Sequence, residues 1–150
     1  MQSTLVAKRQ HHVAILAKQW KILEKILDGR KTIETRWYKH RVNPWNNISA
    51  GDIIYFKESG DLVCAKADVE KVLQFDNLNK QKIKEIFDKY NSKMCLSNPD
   101  KSYFDGRNYC ILIFLKNVEK IKPFDIDKTG FGNACAWLTV DEVQKIKKKK

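Results

Sequence analysis

The sequence predicts an α+β domain: a small mixed β-barrel, or strongly bent sheet, of five to six strands with flanking helices. Three observations lead there. Short apolar or alternating segments recur between Gly-containing turns, as in "SAGD" and "ESGD". Amphipathic helical segments are interleaved with these strands, and hairpin turns join some of them, which suits a bent or barrelled sheet. No Gly-rich phosphate loop follows any strand, which speaks against a doubly wound parallel sheet. At 150 residues and 43% hydrophobic content, the chain has the size and apolar content of one ordinary domain.

Taken in order, residues 1–10 form an N-terminal extension, and "HHVAILA" at 11–17 reads as a short buried strand. "QWKILEKILD" places Trp20, Leu23, Ile26 and Leu27 at helical spacing, with Trp20 in the helix core. Gly29 then fits the left-handed position just past a helix end. "KTIETRW" alternates and is β-branched, so it is extended; "NPWNN" is a loop, "IIYF" a strand, and "LVCAKADVEKV" the strand after the "ESGD" turn. A helix is expected over 79–90, with Ile83, Ile86, Phe87 and Tyr90 on one side, and "NYCILIFLKNV" should be a central strand. Thr139 and Glu142 have capping-box spacing for a third helix carrying Val140, Val143 and Ile146. The domain is expected to span 11–143, and 144–150 to be a solvated basic tail.

Charge is uneven. The net +11 arises from +7 in residues 1–41, −1 in residues 42–144 and +5 in the terminal "KIKKKK". A one-sided basic field favours polyanions. Much of it surrounds "LDGRKTIETRW", residues 27–37. In an extended segment Glu34 and Arg36 share one face, and Lys31, Ile33 and Thr35 the other. Two readings fit these residues. One is a salt-bridged strand edge of little energetic value. The other is a pocket in which Glu34 accepts a base's amine, Lys31 and Arg36 hold phosphate or carbonyl oxygen, and the Trp37 indole stacks on the base.

Gly29, Lys31, Glu34 and Arg36 form G-x-K-x-x-E-x-R, which resembles the signature of the ASCH domain, a branch of the PUA-like superfamily. "HHVAILAKQWKILEKILDGRKTIETRW" is similar to that family's opening strand, helix and motif, and "HRVNPW…AGDIIYFKESG" to its next loop and hairpin. "KYNSKMC" and "KPFDIDKTGFGNACAW" resemble later segments, so the likeness covers about residues 11–140. It implies a six-stranded PUA-like barrel with a cleft beside the motif. It also implies binding of RNA or modified nucleotides, and some members are enzymes. The small acetylcytidine amidohydrolases share "GRKT", with a catalytic Lys at the place of Lys31, but carry Thr where this chain has Glu34. Ribonuclease activity is also attributed to a family member.

Two functions therefore stand side by side: an RNA or nucleotide-binding module, and a small hydrolase in which Lys31 and Glu34 would be catalytic. The expected ligand-binding set is Lys31, Glu34, Arg36, Trp37, Arg41, Trp45, Lys57 and Trp137. Lys57 ends the "YFK" strand, where it could meet phosphate, and "TGFGNACAW" either closes the barrel or walls the cleft. Three His without matching Cys or carboxylate spacing suggest no metal site, and no cofactor is expected. Cys64, Cys95, Cys110 and Cys135 lack knuckle spacing and are expected as reduced, mostly buried thiols. No run reaches the roughly 20 apolar residues of a membrane span, and no secretory signal opens the chain, so a cytoplasmic monomer is the expectation.

Overall fold

The computed structural model describes residues 9–96, 101–132 and 135–149, with Lys101 described by its backbone alone. Six strands form one sheet: β1 (His11–Leu16), β2 (Ile33–Tyr38), β3 (Ile53–Glu58), β4 (Val63–Phe75), β5 (Tyr109–Phe124) and β6 (Trp137–Val140). Their order is β2-β5-β4-β3-β1-β6. β1 and β3 run parallel, and the other neighbours are antiparallel. The sheet curls into a half-barrel, so its two edge strands, β2 and β6, face each other across the inner side.

Alternation along each strand sorts side chains to the two faces of the curl. The inner face carries Ala14, Leu16, Ile54, Phe56, Ala65, Ile111, Ile113 and Trp137, and is capped by Leu23 and Ile26 of helix α1 (Ile22–Leu27). The outer face is covered in two places. Helix α2 (Lys80–Met94) lays Ile86 and Met94 on Ile33, Trp37, Cys110 and Leu112. The segment after β5 brings Ile126, and the turn after β6 brings Val143, onto Val13, Tyr55, Val63 and Leu138. Asn79 caps α2 by accepting from the Lys82 amide at 2.8 Å, and the expected apolar stripe of 79–90 is the one that packs.

Some local expectations change. Lys21 adopts a left-handed conformation (φ +53°), which separates a 3₁₀ turn at Lys18–Trp20 from α1 and leaves Trp20 53% exposed instead of in the core. Gly29 sits at φ +86°, as its place after the helix required. No capping box forms at Thr139, because that residue is held in β6 opposite His12 of β1, and only a 3₁₀ turn follows at Val143–Ile146. Residues 146–148 are not free either. Lys148 N–H donates to Asp125 O at 2.9 Å, Asp127 N–H to Ile146 O at 2.7 Å, and the Lys147 ammonium sits 4.3 Å from the Phe124 ring centre. Of the four free cysteines only Cys110 is buried; the others are half-buried, Cys95 at the end of α2. No helix among the described residues is long and apolar enough to cross a membrane.

Candidate functional site

β2 inverts the usual arrangement of an edge strand. On its outward side Ile33 and Trp37, which flank Thr35, are apolar and buried under α2, while its inward side chains, Glu34, Arg36 and Tyr38, are polar. The motif is therefore no solvated edge. Glu34 is 3% exposed, and its carboxylate accepts from the Thr35 amide at 2.9 Å. Lys31 is 2% exposed. Its ammonium donates to the Met94 carbonyl at the end of α2 at 2.6 Å and lies 3.6 Å from Glu34 Oε1. Alternation would have put Lys31 on the other side, but β2 begins only at Ile33. Lys31 still belongs to the helix-ending turn, with its amide bonded to Lys25 O. Burial holds the Lys31 ammonium below the usual lysine range, and the Glu34 carboxylate opposes that shift.

Arg36 closes the array. Its Nη2 is 3.4 Å from Glu34 Oε2, and its guanidinium lies over the Trp137 ring at 5.0 Å, bridging the two sheet edges. Arg36 Nε is buried with no hydrogen-bond partner among the described residues. The Tyr38 hydroxyl, its pKa raised by burial, donates to Asn43 O at 3.3 Å. Farther along the same face Tyr109, paired with Tyr38 across the β2–β5 ladder, meets the Trp45 ring edge-on at 4.9 Å and the Arg41 guanidinium at 5.5 Å. The Trp45 indole N–H is a second buried donor without a partner among the described residues.

The structure thus brings Lys31, Glu34, Arg36 and Trp137 together, with Trp45 and Arg41 at the Tyr38 end of β2. Two expected members lie elsewhere. Trp37 is on the outer face, stacked on Phe87 at 5.9 Å and edge-on to Phe104 at 4.8 Å. A one-residue step along a strand reverses the side, so it cannot stack on a base held by Glu34. Its indole N–H is, among the described residues, the third buried donor without a partner. Lys57 also faces outward, in step with Tyr55 and away from Phe56.

A second inner-face network has no counterpart in the sequence reading. His12, fully buried, shares Nε2 with Asp52 Oδ2 at 2.8 Å. Its Nδ1 is 2.9 Å from Thr139 Oγ1 and accepts from the Trp137 indole N–H at 3.1 Å. An indole N–H only donates, so Nδ1 bears the lone pair and Nε2 the hydrogen. Asp52 also accepts from the Gln10 and Ser49 amides. The available signal was the polar His12 inside an otherwise apolar buried strand. Among the described residues no group of three or more His, Cys, Asp or Glu is placed to hold a metal ion.

The family model of the ASCH domain matches residues 19–125. A comparison with the curated proteins finds no match. Among solved structures, the ASCH protein of Zymomonas mobilis is similar over 87% of this chain and 87% of its own, with 20% identity and a TM-score of 0.64. A serine-to-alanine variant of that protein is similar over 93% and 96%, with 21% identity and a TM-score of 0.68. At this identity the likeness is one of fold.

Proposed function

We propose that this chain, which belongs to the ASCH domain family, binds RNA or a modified nucleotide where β2 and β6 face each other. The observation that carries this reading is the pair of buried donors without partners on that side, Arg36 Nε and Trp45 Nε1, beside a buried Lys–Glu–Arg array. An unsatisfied buried donor costs about 1–3 kcal/mol, and a buried ion pair is often no better for stability than apolar residues of the same volume. A ligand offering acceptor oxygens would offset both costs. Glu34 would accept an exocyclic amine, and Arg36 would move off the Trp137 ring towards a carbonyl or phosphate oxygen. The exposed ring face would then receive the base. The basic residues outside the site add a non-specific attraction for polyanions.

The test is a paired titration of wild type, Glu34→Gln and Lys31→Met against one amine-bearing nucleotide and one generic RNA. Glu34→Gln should weaken the nucleotide about ten- to a hundredfold, the equivalent of roughly 1.5–3 kcal/mol, while sparing generic RNA. Lys31→Met should weaken both. Equal binding by all three proteins would make the motif a scaffold. The lowered pKa of buried Lys31 favours a second reading, a hydrolase with Lys31 and Glu34 as its working groups. Lys31-dependent release of acetate from acetylcytidine would move the assignment to it.

A further inference from the structure

Two of the three unpaired buried donors lie on the inner face with the motif. The third, Trp37 Nε1, is on the outer face and has no partner among the described residues. Trp37 is 4% exposed, and a buried donor without an acceptor is costly. Its ring stacks on Phe87 at 5.9 Å and meets Phe104 edge-on at 4.8 Å, and its carbonyl accepts from Arg107 Nη1 at 2.7 Å. Phe87, Phe104 and Arg107 all line one cavity of about 900 Å³, between α2 and the segment 102–108. Trp37 therefore sits directly behind the wall of that cavity.

The wall has an apolar part and a charged part. Leu78, Ile83, Phe87 and Phe104, all half-buried, form the first. Phe87 and Phe104 stand at 83° to each other with ring centres 5.4 Å apart, so a flat ring lying on one meets the edge of the other. Lys80, Lys84 and Arg107 form the second, against a single carboxylate on the lining, Asp105. Lys84 shares Asp88 at 3.7 Å in an exposed pair of little value, and even with Asp88 counted three cations face two carboxylates. The Arg107 guanidinium donates only to carbonyls, those of Tyr103 and Trp37, among the described residues. This end of α2 is also the positive end of its dipole, and its first turn carries no acid.

We propose that this cavity is a second ligand site, distinct from the Lys31 motif, for a molecule made of a flat ring and a phosphate. The ring lies against Phe87 and Phe104, the phosphate meets the cations of the rim, and an acceptor atom of the ring takes the Trp37 indole N–H as the two Phe rings part. Three cations on one rim suit a phosphate dianion better than a single carboxylate. A nucleotide meets each of these needs, and the volume lies in the range of ordinary ligand pockets. It can be a free nucleotide or one unit of a polynucleotide.

The experiment follows the indole N–H resonance of Trp37, assigned by its loss in Trp37→Phe, and the amides of Lys84, Gly106 and Asn108. The intact chain is titrated with adenosine monophosphate, and separately with adenosine and with inorganic phosphate at matched ionic strength. The monophosphate should give saturating shifts at all of these groups, with an affinity at least about tenfold above that of either half. Joint replacement of two exposed cations, Lys80→Met with Lys84→Met, should weaken it about tenfold, whereas Lys31→Met should leave these shifts unchanged. A short single-stranded RNA that moves the same resonances, in a way that depends on Lys80 and Lys84, assigns the site to a unit of a polynucleotide. Response to the monophosphate without response to RNA assigns it to a free nucleotide. Shifts that inorganic phosphate alone reproduces, an unmoved Trp37 indole resonance, or full affinity in the double variant would overturn the proposal. So would loss of these shifts in Lys31→Met, which would assign them to the motif. The reading of the motif itself stands or falls on its own variants.

Discussion

The inner face of the half-barrel holds two buried polar networks that share one residue, and they are built to opposite standards. In the first, His12 has both ring nitrogens engaged, and Asp52 accepts from His12, Gln10 and Ser49 at 2.8–3.1 Å. In the second, the ion pairs Lys31–Glu34 and Arg36–Glu34 are 3.6 and 3.4 Å long, and Arg36 Nε has no partner among the described residues. Trp137 joins them, giving its indole N–H to His12 and its ring face to Arg36. A satisfied network holds strands in register; an unsatisfied one retains valences for something else. The first ties β1 to β6 and to the turn before β3. The second is where a ligand gains most.

Breaking the satisfied network should have the largest effect on stability. Asp52→Ala removes the acceptor of two backbone amides and leaves buried His12 Nε2–H unpaired. Each buried donor left unsatisfied costs about 1–3 kcal/mol, so leaving three unpaired should register in urea denaturation as a large fall in midpoint at constant slope. Nucleotide affinity of the fraction that folds should stay within about twofold of wild type. A change below 1 kcal/mol would end the distinction drawn between the two networks.

Trp137→Phe sharpens the comparison, because it separates the two uses of one side chain. The benzyl ring still offers Arg36 a face, but His12 Nδ1 loses a donor and the site loses ring volume. A loss of about 2 kcal/mol is expected, from one hydrogen bond plus the incomplete filling. Ligand affinity should fall much less than in Glu34→Gln. A variant that kept full stability but lost all binding would assign Trp137 to the ligand alone.

The two networks also differ in how far the sequence disclosed them. β2 was legible because its β-branched alternation and the Gly29 turn are local signals, and the motif spacing marked Glu34 and Arg36. The side taken by Lys31 was not, since it depends on where β2 starts and on the Met94 carbonyl 63 residues away. Trp37 was expected in the cleft because it follows the motif in sequence, and Lys57 because it ends a strand where it could meet phosphate. One residue of strand parity puts each on the outer face. His12, Asp52 and Thr139 meet only through the pairing of β1 with β3 and β6, and no periodicity within a short window encodes that. The Thr139–Glu142 spacing failed for the same reason: a long-range strand pairing outweighed a local cap.

The smallest expected effect is a pH dependence, and it distinguishes the networks by the pH range in which it falls. Burial holds the His12 imidazole below its ordinary value of 6.5, against the pull of Asp52. Protonation at Nδ1 would also displace the Trp137 hydrogen bond, because an indole N–H can only donate. As pH falls through 6.5 the unfolded chain takes up this proton while the folded chain resists it. The stabilisation is therefore present above pH 6.5 and is lost below it, at up to about 1.4 kcal/mol per pH unit until the folded value is reached. Lys31 shifts in the same direction from a far higher starting value, 10.5, and so changes nothing between pH 7.5 and 5.5 unless it titrates near neutrality. Urea midpoints at those two pH values should differ by up to about 1.4 kcal/mol through His12. His11, also lowered by burial, adds in the same sense, so His11→Gln should keep most of the difference and His12→Gln should remove most of it. A difference that survived His12→Gln and vanished in Lys31→Met would place a near-neutral ammonium in the motif, which is what the hydrolase reading requires.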